Sequence, residues 1–244
     1  MAKQIKLLIL DLDDTLISTH PLYEARRHAF AAKMERYWGV AYEEAYETLV
    51  KIDKASIPSL GVGLDRFPLS FSHTYKSLCE KHGFEHDVHF DRELQAIAES
   101  VFIARSIVYP YTPRILIQLI QQGYELCILT RGDRSVQLRR VIESNLASYF
   151  SNVFVVDKKT DIQFKRICQF YDVNIGEAVM IGNSMYGDIL PALEAGLFAI
   201  LIPNGTKEIE DVLQSPSPEN NYPDHLFRGT NLTDVPDILT RINT

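Results

Sequence analysis

The segment "IKLLILDLDDTLI", residues Ile5–Ile17, is the most informative part of the sequence for the fold. Its apolar run Leu7–Leu10 has the length of a buried strand and ends directly at Asp11, with Asp13 and Asp14 close behind. Carboxylates this close repel each other, and burying them unpaired is unfavourable. Alternate residues of an extended chain face the same side, so Asp11 and Asp13 point one way and Asp14 the other. The cluster of carboxylates at the end of this strand is unfavourable for stability alone, which indicates a chemical role for it.

Further apolar runs of strand length follow in the second half of the chain, and turn or polar residues flank most of them. They are Leu126–Leu129, Val153–Val156, Val179–Ile181 and Phe198–Ile202. Segments with helical spacing lie between them, including "TPRILIQLIQQG", "SVQLRRVIESNLASYF", "DIQFKRICQFYDV" and "GDILPALEAG". Strands that alternate with helices predict an α/β fold with a parallel sheet flanked by helices.

The alternation stops between Ser18 and Tyr109, where the sequence predicts several helices and no convincing strand. We therefore expect an inserted α-helical domain, residues 18–109, and a core formed by residues 1–17 and 110–244. Beyond Pro203, "QSPSPENNYPD" predicts a loop, "HLFRG" an edge strand and "TDVPDILTRI" a short closing helix.

Composition argues against several classes of protein. Apolar residues make up 46% of the 244-residue chain, which is enough for a sizeable core, and the formal net charge of −7 argues against a nucleic-acid partner. The three cysteines form no CxxC pair, and the apolar run near residue 7 is too short for a signal peptide or a membrane span. We expect a cytoplasmic protein with no membrane partner.

Polar side chains follow the predicted strands at the edge where sites form in open parallel sheets. The first strand is followed by carboxylates, the second by a hydroxyl, the third by lysines, and the fourth by an amide, a hydroxyl and a carboxylate. In that order the residues are Asp11 and Asp13; Thr130; Asp157, Lys158 and Lys159; and Asn183, Ser184 and Asp188.

This set suits phosphoryl transfer. Oxygen ligands from Asp11 and Asp188 could hold Mg²⁺, which takes one or two protein carboxylates and would offset their repulsion. An aspartate can attack phosphorus and form an acyl phosphate, and a second carboxylate can protonate the leaving oxygen and later activate water. A lysine and a hydroxyl can hold the phosphoryl oxygens, on which charge accumulates.

The motifs "DLDDTL", "LTRGD", a lysine after the third strand and "GNSMYGD" resemble, in order, the four motifs of the haloacid dehalogenase-like hydrolase superfamily. The resemblance extends from Ile5 to about Pro203, and the inserted helices resemble that family's helical cap. It implies a Rossmann-like core, Mg²⁺ as cofactor and a small phosphorylated metabolite as substrate.

The resemblance also implies roles for individual residues. Asp11 would be the nucleophile and a metal ligand, and Asp13 the acid/base, with its backbone carbonyl on the metal. Thr130 would bind the phosphoryl group, with Arg131 of the same motif as a further substrate-binding candidate. Lys159 would stabilise charge, and Asp188 would hold the metal.

Two positions depart from the family pattern. Asn183 stands where many relatives have aspartate, so we expect it to contact a metal-bound water or orient Asp11 without contributing charge. The third motif offers two adjacent lysines, Lys158 and Lys159. The segment "KTDIQF" resembles relatives in which the lysine precedes a threonine, and this resemblance favours Lys159.

Each motif also has a purely structural interpretation. Asp13 and Asp14 could cap a turn, and Thr130 could be a helix N-cap. One of the two lysines must be an ordinary surface charge, and Asp188 lies where carboxylates are favoured at the start of a helix. The ordered set of four motifs favours the functional interpretation of all of them together.

The sequence leaves three functions open. The leading one is a Mg²⁺-dependent phosphatase with an aspartyl-phosphate intermediate. A phosphomutase would use the same four motifs, and a non-catalytic binding protein could retain the scaffold. Dehalogenation is disfavoured because Asp13 is present, and carbon–halogen cleavage needs no acid to protonate an alkoxide.

Overall fold

A computed structural model describes residues 4–205 and 222–244 of the chain. The chain forms two compact units. The first unit contains the residues up to Ser18 and those from Ser106 onward, and the second is the continuous segment Thr19–Arg105.

The strands of the first unit are β1 (Leu7–Leu10), β2 (Ile17–Ser18), β3 (Ile107–Val108), β4 (Glu125–Arg131), β5 (Asn152–Val156), β6 (Ala178–Gly182), β7 (Phe198–Leu201) and β8 (Leu226–Arg228). Six of them form one parallel sheet in the order β5-β4-β1-β6-β7-β8. The α/β fold with a parallel sheet is thus confirmed, and β8 is the edge strand expected in "HLFRG". The sequence of β1 is apolar throughout because this strand lies in the middle of the sheet.

The α-helices among the described residues are, in chain order, α1 (His20–Trp38), α2 (Tyr42–Leu60), α3 (Arg66–His82), α4 (Val88–Ile103), α5 (Thr112–Gln121), α6 (Arg134–Glu143), α7 (Asp161–Phe170), α8 (Leu190–Ala195) and α9 (Val235–Ile242). Helices α5 to α9 belong to the first unit. Side chains of β1 alternate between two cores: Leu8 and Leu10 pack in one, and Leu7 and Ile9 in the other. All four are fully buried because both faces of the sheet are covered.

One sequence expectation is wrong in detail. The stretch from Ser18 to Tyr109 was expected to contain no strand, but Ile107–Val108 pairs antiparallel with Ile17–Ser18. Two residues are too few to show a strand period, so the pairing has no signal in the sequence. The loop expected in "QSPSPENNYPD" falls almost entirely outside the described residues.

The second unit consists of helices α1 to α4 around an aromatic-rich core that includes Phe30, Phe67, Phe71 and Tyr75. Beside this core lies a buried ionic network. Asp53, which is fully buried, accepts hydrogen bonds from Arg27, Arg66 and Ser70. Within the described residues, no helix is long and apolar enough to cross a bilayer.

Candidate active site

The chain turns sharply where β1 ends. The amide of Asp11 still donates to the carbonyl of Ile181, at 2.9 Å, and so continues the pairing with β6. Three residues later Asp14 adopts a left-handed conformation, with φ 57°, and its amide donates to the carbonyl of Ile17. Aspartate tolerates this conformation better than most residues. The backbone of Asp14 therefore reverses the chain, and Asp11 stays at the carboxyl end of the sheet.

Asn204, which follows β7, supports this turn. Its amide group donates to the carbonyls of Asp14 and Thr15, at 2.9 and 3.3 Å, and its side-chain oxygen accepts from the hydroxyl of Tyr111. The loop that carries the first two carboxylates is thus fixed from a distant part of the sequence.

Three charged side chains meet at the ends of three strands. The ammonium of Lys159 lies 2.5 Å from a carboxylate oxygen of Asp11 and 2.5 Å from one of Asp188. All three residues are buried. Lys158 is exposed, so the structure places Lys159, and not its neighbour, beside Asp11.

Burial governs the electrostatics of this cluster. Loss of hydration raises the pKa of Asp11 to about 8; the charge of Lys159 opposes this rise, and that of Asp188 adds to it. Burial also disfavours the charged form of Lys159, but the two carboxylates outweigh it and raise the pKa of the lysine. Once Asp11 is ionised, one ammonium faces two carboxylates, and the net negative charge favours a further cation.

The oxygens at this site fit Mg²⁺. Asp11 and Asp188 supply carboxylate oxygens, and the backbone of Asp13, two residues after Asp11, offers a carbonyl oxygen. All of these are hard donors of the kind that Mg²⁺ prefers. Among the described residues no group of three or more His, Cys, Asp and Glu is arranged to hold a metal ion, so a metal here would rely on two carboxylates, a carbonyl and water.

Gly182 makes room for Asp188. A Cβ atom at Gly182 would lie 2.6 Å from both Cβ and Cγ of Asp188, closer than atoms can approach. Asp188 reaches back over this glycine from a π-helical turn, Met185–Ile189, and accepts a hydrogen bond from the amide of Ser184 at 3.0 Å. Close contact between backbone and carboxylate therefore fixes the third charged group.

Asp13 lies in a second group of polar residues. Both of its carboxylate oxygens accept from Nη1 of Arg140, at 3.0 and 2.9 Å, and one also accepts from the amide of Gln137 at 2.8 Å. The same amide nitrogen donates to the hydroxyl of Thr130, at 2.5 Å, and to the carbonyl of Arg131, at 3.1 Å. Gln137 thus connects Asp13 with the end of β4.

The remaining sequence candidates fall around these two groups. Thr130 is buried in β4 and is not the cap of helix α6, since Asp133 fills that position. Asn183 is buried, and its side-chain oxygen accepts from the hydroxyl of Thr15 at 3.3 Å. The side chain of Arg131 is half-buried at the end of β4.

Sequence reasoning missed Gln137 and Arg140. Both are buried on the same face of α6 as Val136 and Val141. The sequence does show two polar residues on the apolar face of a predicted helix, and this pattern indicates that they are buried. It does not show what they contact.

A known protein family matches most of this sequence. A family profile described as "Hydrolase: haloacid dehalogenase-like hydrolase" matches residues 5–196, which is most of the chain. The chain belongs to the haloacid dehalogenase-like hydrolases, as its motifs predicted.

Individual relatives are phosphatases. The chain is 28% identical to a glyceraldehyde 3-phosphate phosphatase of Pyrococcus abyssi over 79% of each chain. It is 25% identical to a phosphoserine phosphatase of Thermus thermophilus, over 87% of this chain and 94% of the relative. The predicted enzyme class, a phosphatase of this hydrolase family, is thereby confirmed.

A solved structure shares the fold. It is a haloacid dehalogenase-like family hydrolase from Xanthomonas campestris, with a TM-score of 0.75 and 20% identity, covering 98% of this chain and 92% of the other. At this identity the likeness concerns the fold alone.

Proposed function

We propose that this enzyme is a Mg²⁺-dependent phosphatase that hydrolyses a small phosphorylated metabolite through an aspartyl-phosphate intermediate. The observation that supports it most is the buried group of Asp11, Lys159 and Asp188 at the strand ends, with a further carboxylate, Asp13, two residues after the first. A nucleophile, a cation beside it and a separate acid/base are what hydrolysis in two steps requires.

In the first step a carboxylate oxygen of Asp11 attacks phosphorus, and the bond between phosphorus and the ester oxygen breaks. Asp13, which enters this step in its protonated form, gives the proton to the departing oxygen and becomes the carboxylate that accepts from Arg140 and Gln137. In the second step Asp13 takes a proton from water, whose oxygen attacks phosphorus, and the Asp11 carboxylate and inorganic phosphate are released.

Positive and hydrogen-bonding groups stabilise the charge that develops on the phosphoryl oxygens. The ammonium of Lys159 and the hydroxyl of Thr130 serve this purpose, with Arg131 as a further substrate contact. When bound, Mg²⁺ would be held by Asp11, Asp188 and the carbonyl of Asp13, and would neutralise part of the phosphate charge. Asn183 would support this group through its contact with Thr15.

The relatives support a small substrate. They act, by their names, on glyceraldehyde 3-phosphate and on phosphoserine, which are both phosphomonoesters of small molecules. Because the named substrates differ from one relative to another, we carry over the reaction and the size class of the substrate only. Phosphate released on hydrolysis, and no isomerised sugar phosphate, distinguishes this activity from a phosphomutase.

We also propose that the enzyme works in the cytoplasm. Its three cysteines, Cys79, Cys127 and Cys168, are buried and free of disulfides. Free buried thiols fit a reducing compartment.

The test is a screen for phosphate release from phosphorylated metabolites and an aryl phosphate, with Mg²⁺ and with a chelator. We expect turnover only with Mg²⁺, and we expect Asp11→Asn to abolish it because a neutral amide is a poor nucleophile. The matched control is Asp14→Asn, in the same turn, where asparagine also tolerates the left-handed backbone.

Wild-type turnover by Asp11→Asn would exclude Asp11 as the nucleophile. Equal turnover with and without the chelator would exclude the metal. An absence of phosphate release from every substrate would favour a binding protein on this scaffold.

A further inference from the structure

Helix α6 holds the carboxylate of Asp13 in place. Asp13 lies in the loop after β1 with a side chain that is 26% exposed, whereas Arg140 and Gln137 are buried. Arg140 reaches both carboxylate oxygens, and Gln137 reaches one of them. The partially exposed loop residue is thus anchored by two groups that cannot move freely.

The bond from Arg140 to Gln137 determines how the amide is oriented. Nη1 of Arg140 donates to the amide oxygen of Gln137 at 3.1 Å, which directs the amide nitrogen toward Asp13 and Thr130. A single nitrogen atom therefore binds the proposed acid/base and the proposed phosphoryl-binding hydroxyl together. This contact keeps the Asp13 carboxylate near the place where the phosphoryl group would lie.

Helix α6 is itself firmly placed. Asp133 caps its N-terminus by accepting from the amides of Ser135 and Val136, at 2.8 and 3.1 Å. Val136 and Val141 are buried on the same face as the two polar residues. The helix is therefore a rigid support for side chains that point toward the site.

An ion pair with a buried arginine is a poor way to gain stability. Removing Arg140 from water is unfavourable, and apolar residues of similar size often stabilise a protein as well or better. Catalysis offers a reason for its presence, because an acid/base must lie within about 3 Å of the atom with which it exchanges a proton. The carboxyl group of an aspartate in a loop rotates about two bonds, and small misplacements reduce the rate steeply.

We propose that Gln137 and Arg140 are positioning residues that fix the direction of the Asp13 carboxyl group for proton transfer. The proposal rests on the proposed function, in which Asp13 protonates the leaving oxygen. In this proposal both residues of α6 act through Asp13, and neither contacts the substrate.

The test uses the dependence on the leaving group. The enzyme's kcat/KM is measured with an aryl phosphate, whose leaving group needs no proton, and with an alkyl phosphate, whose leaving group does. This constant includes only the steps up to formation of the acyl phosphate, so the later hydrolysis step does not enter. We expect Arg140→Met to lower kcat/KM for the alkyl phosphate about 100-fold, and that for the aryl phosphate only a few-fold.

Two further variants refine the test. Gln137→Met should show the same selective loss, and Arg140→Lys should restore part of the alkyl phosphate activity because it keeps the charge. The matched control is Arg139→Met, the adjacent arginine on α6, which pairs with Glu143 and contacts neither Asp13 nor Gln137 in the bonds described. It should leave both constants within a few-fold of wild type.

Three outcomes would overturn the positioning role. They are equal losses for both substrates in folded Arg140→Met and Gln137→Met, losses no larger than those of Arg139→Met, and no rescue by Arg140→Lys. Circular dichroism and thermal unfolding establish that each variant is folded. A wild-type enzyme that releases phosphate from neither substrate would instead overturn the proposed function, and the positioning role with it.

Discussion

At the scale of single residues, Lys159 makes the carboxylates at the strand ends compatible with burial. Without it, Asp11 and Asp188 would be two buried like charges. Its ammonium contacts both carboxyl groups, and these outnumber it in charge once Asp11 is ionised. With Asp11 ionised, the net negative charge of the site would favour binding of a further cation.

The raised pKa of Asp11 predicts a pH dependence of stability. In the folded protein without metal the pKa of Asp11 is about 8, so Asp11 keeps its proton at lower pH. In the unfolded chain the pKa of this group has its ordinary value of 3.8. Between these values the folded state binds more protons, so this group lowers the free energy of unfolding as pH rises. The raised pKa of Lys159 has no effect in this window because lysine is charged throughout it.

The measurement is denaturant unfolding with a chelator at several pH values from about 5 to about 8. Other groups titrate as well, so the informative quantity is the difference between wild type and Asp11→Asn. We expect wild type to lose stability relative to the variant as pH rises. Parallel curves would show that Asp11 is ionised throughout.

The residues of the site differ in how far the sequence could predict them. Asp11 and Asp188 were predicted because each follows an apolar strand, and Lys159 because the segment "KTDIQF" resembles the third motif of the family. Gln137 and Arg140 were not, because their role depends on a contact with Asp13, more than a hundred positions away in the chain. Periodicity finds the face of a helix, but it does not find what that face meets.

At the scale of secondary structure elements, β6 and the π-helical turn after it together position Asp188. Gly182 ends the strand, and the turn brings Asp188 back over it. The sequence showed both residues in "GNSMYGD" but gave no reason for the glycine, since the reason is a contact between its backbone and a side chain. The short pair β2–β3 was missed on similar grounds, because two residues have no period.

Gly182→Ala should therefore damage the site. The added methyl group would collide with Asp188, so either the turn shifts or the carboxylate rotates away from Lys159. We expect a loss of about 1–3 kcal/mol in the free energy of unfolding, as for other overpacked positions. We also expect a smaller rise in melting temperature on addition of Mg²⁺ and a fall in phosphate release of about 100-fold.

The control for this variant is Gly63→Ala. A Cβ at Gly63 would meet nothing within 4 Å, so the substitution tests the effect of alanine without a collision. If Gly182→Ala matched Gly63→Ala in its rise in melting temperature with Mg²⁺ and in its rate of phosphate release, the close contact with Asp188 would not matter for function.

At the scale of the whole molecule, the chain is divided into a discontinuous unit and a continuous one. The second unit, Thr19–Arg105, has its own aromatic core and its own buried ionic network around Asp53. The sequence predicted an inserted helical region because the strand pattern stops there. It did not predict the network, since arginine and aspartate are more often found at the surface.

We predict that residues 19–105, expressed alone, fold into a helical unit. Circular dichroism should show a helical spectrum and a cooperative thermal transition. In the same fragment Asp53→Asn should lower the free energy of unfolding by about 3–5 kcal/mol, because two buried arginines lose their carboxylate.

Asp65→Asn is the control, because Asp65 is exposed and makes no side-chain cap bond to α3. It should change the free energy of unfolding by less than about 0.5 kcal/mol. A fragment without a cooperative transition would mean that the unit depends on the rest of the chain to fold.

The first unit is built from two segments of the chain that the second unit separates, and this order affects folding during synthesis. The ribosome makes the central strand β1 before the second unit, and the strands that flank it, β4 and β6, emerge only after that whole unit. The nascent chain must therefore carry "LLIL" unpaired while the helical unit is already able to fold. An apolar strand without partners is prone to associate with other chains, so we expect the nascent chain to be most prone to aggregation in the interval before β4 emerges.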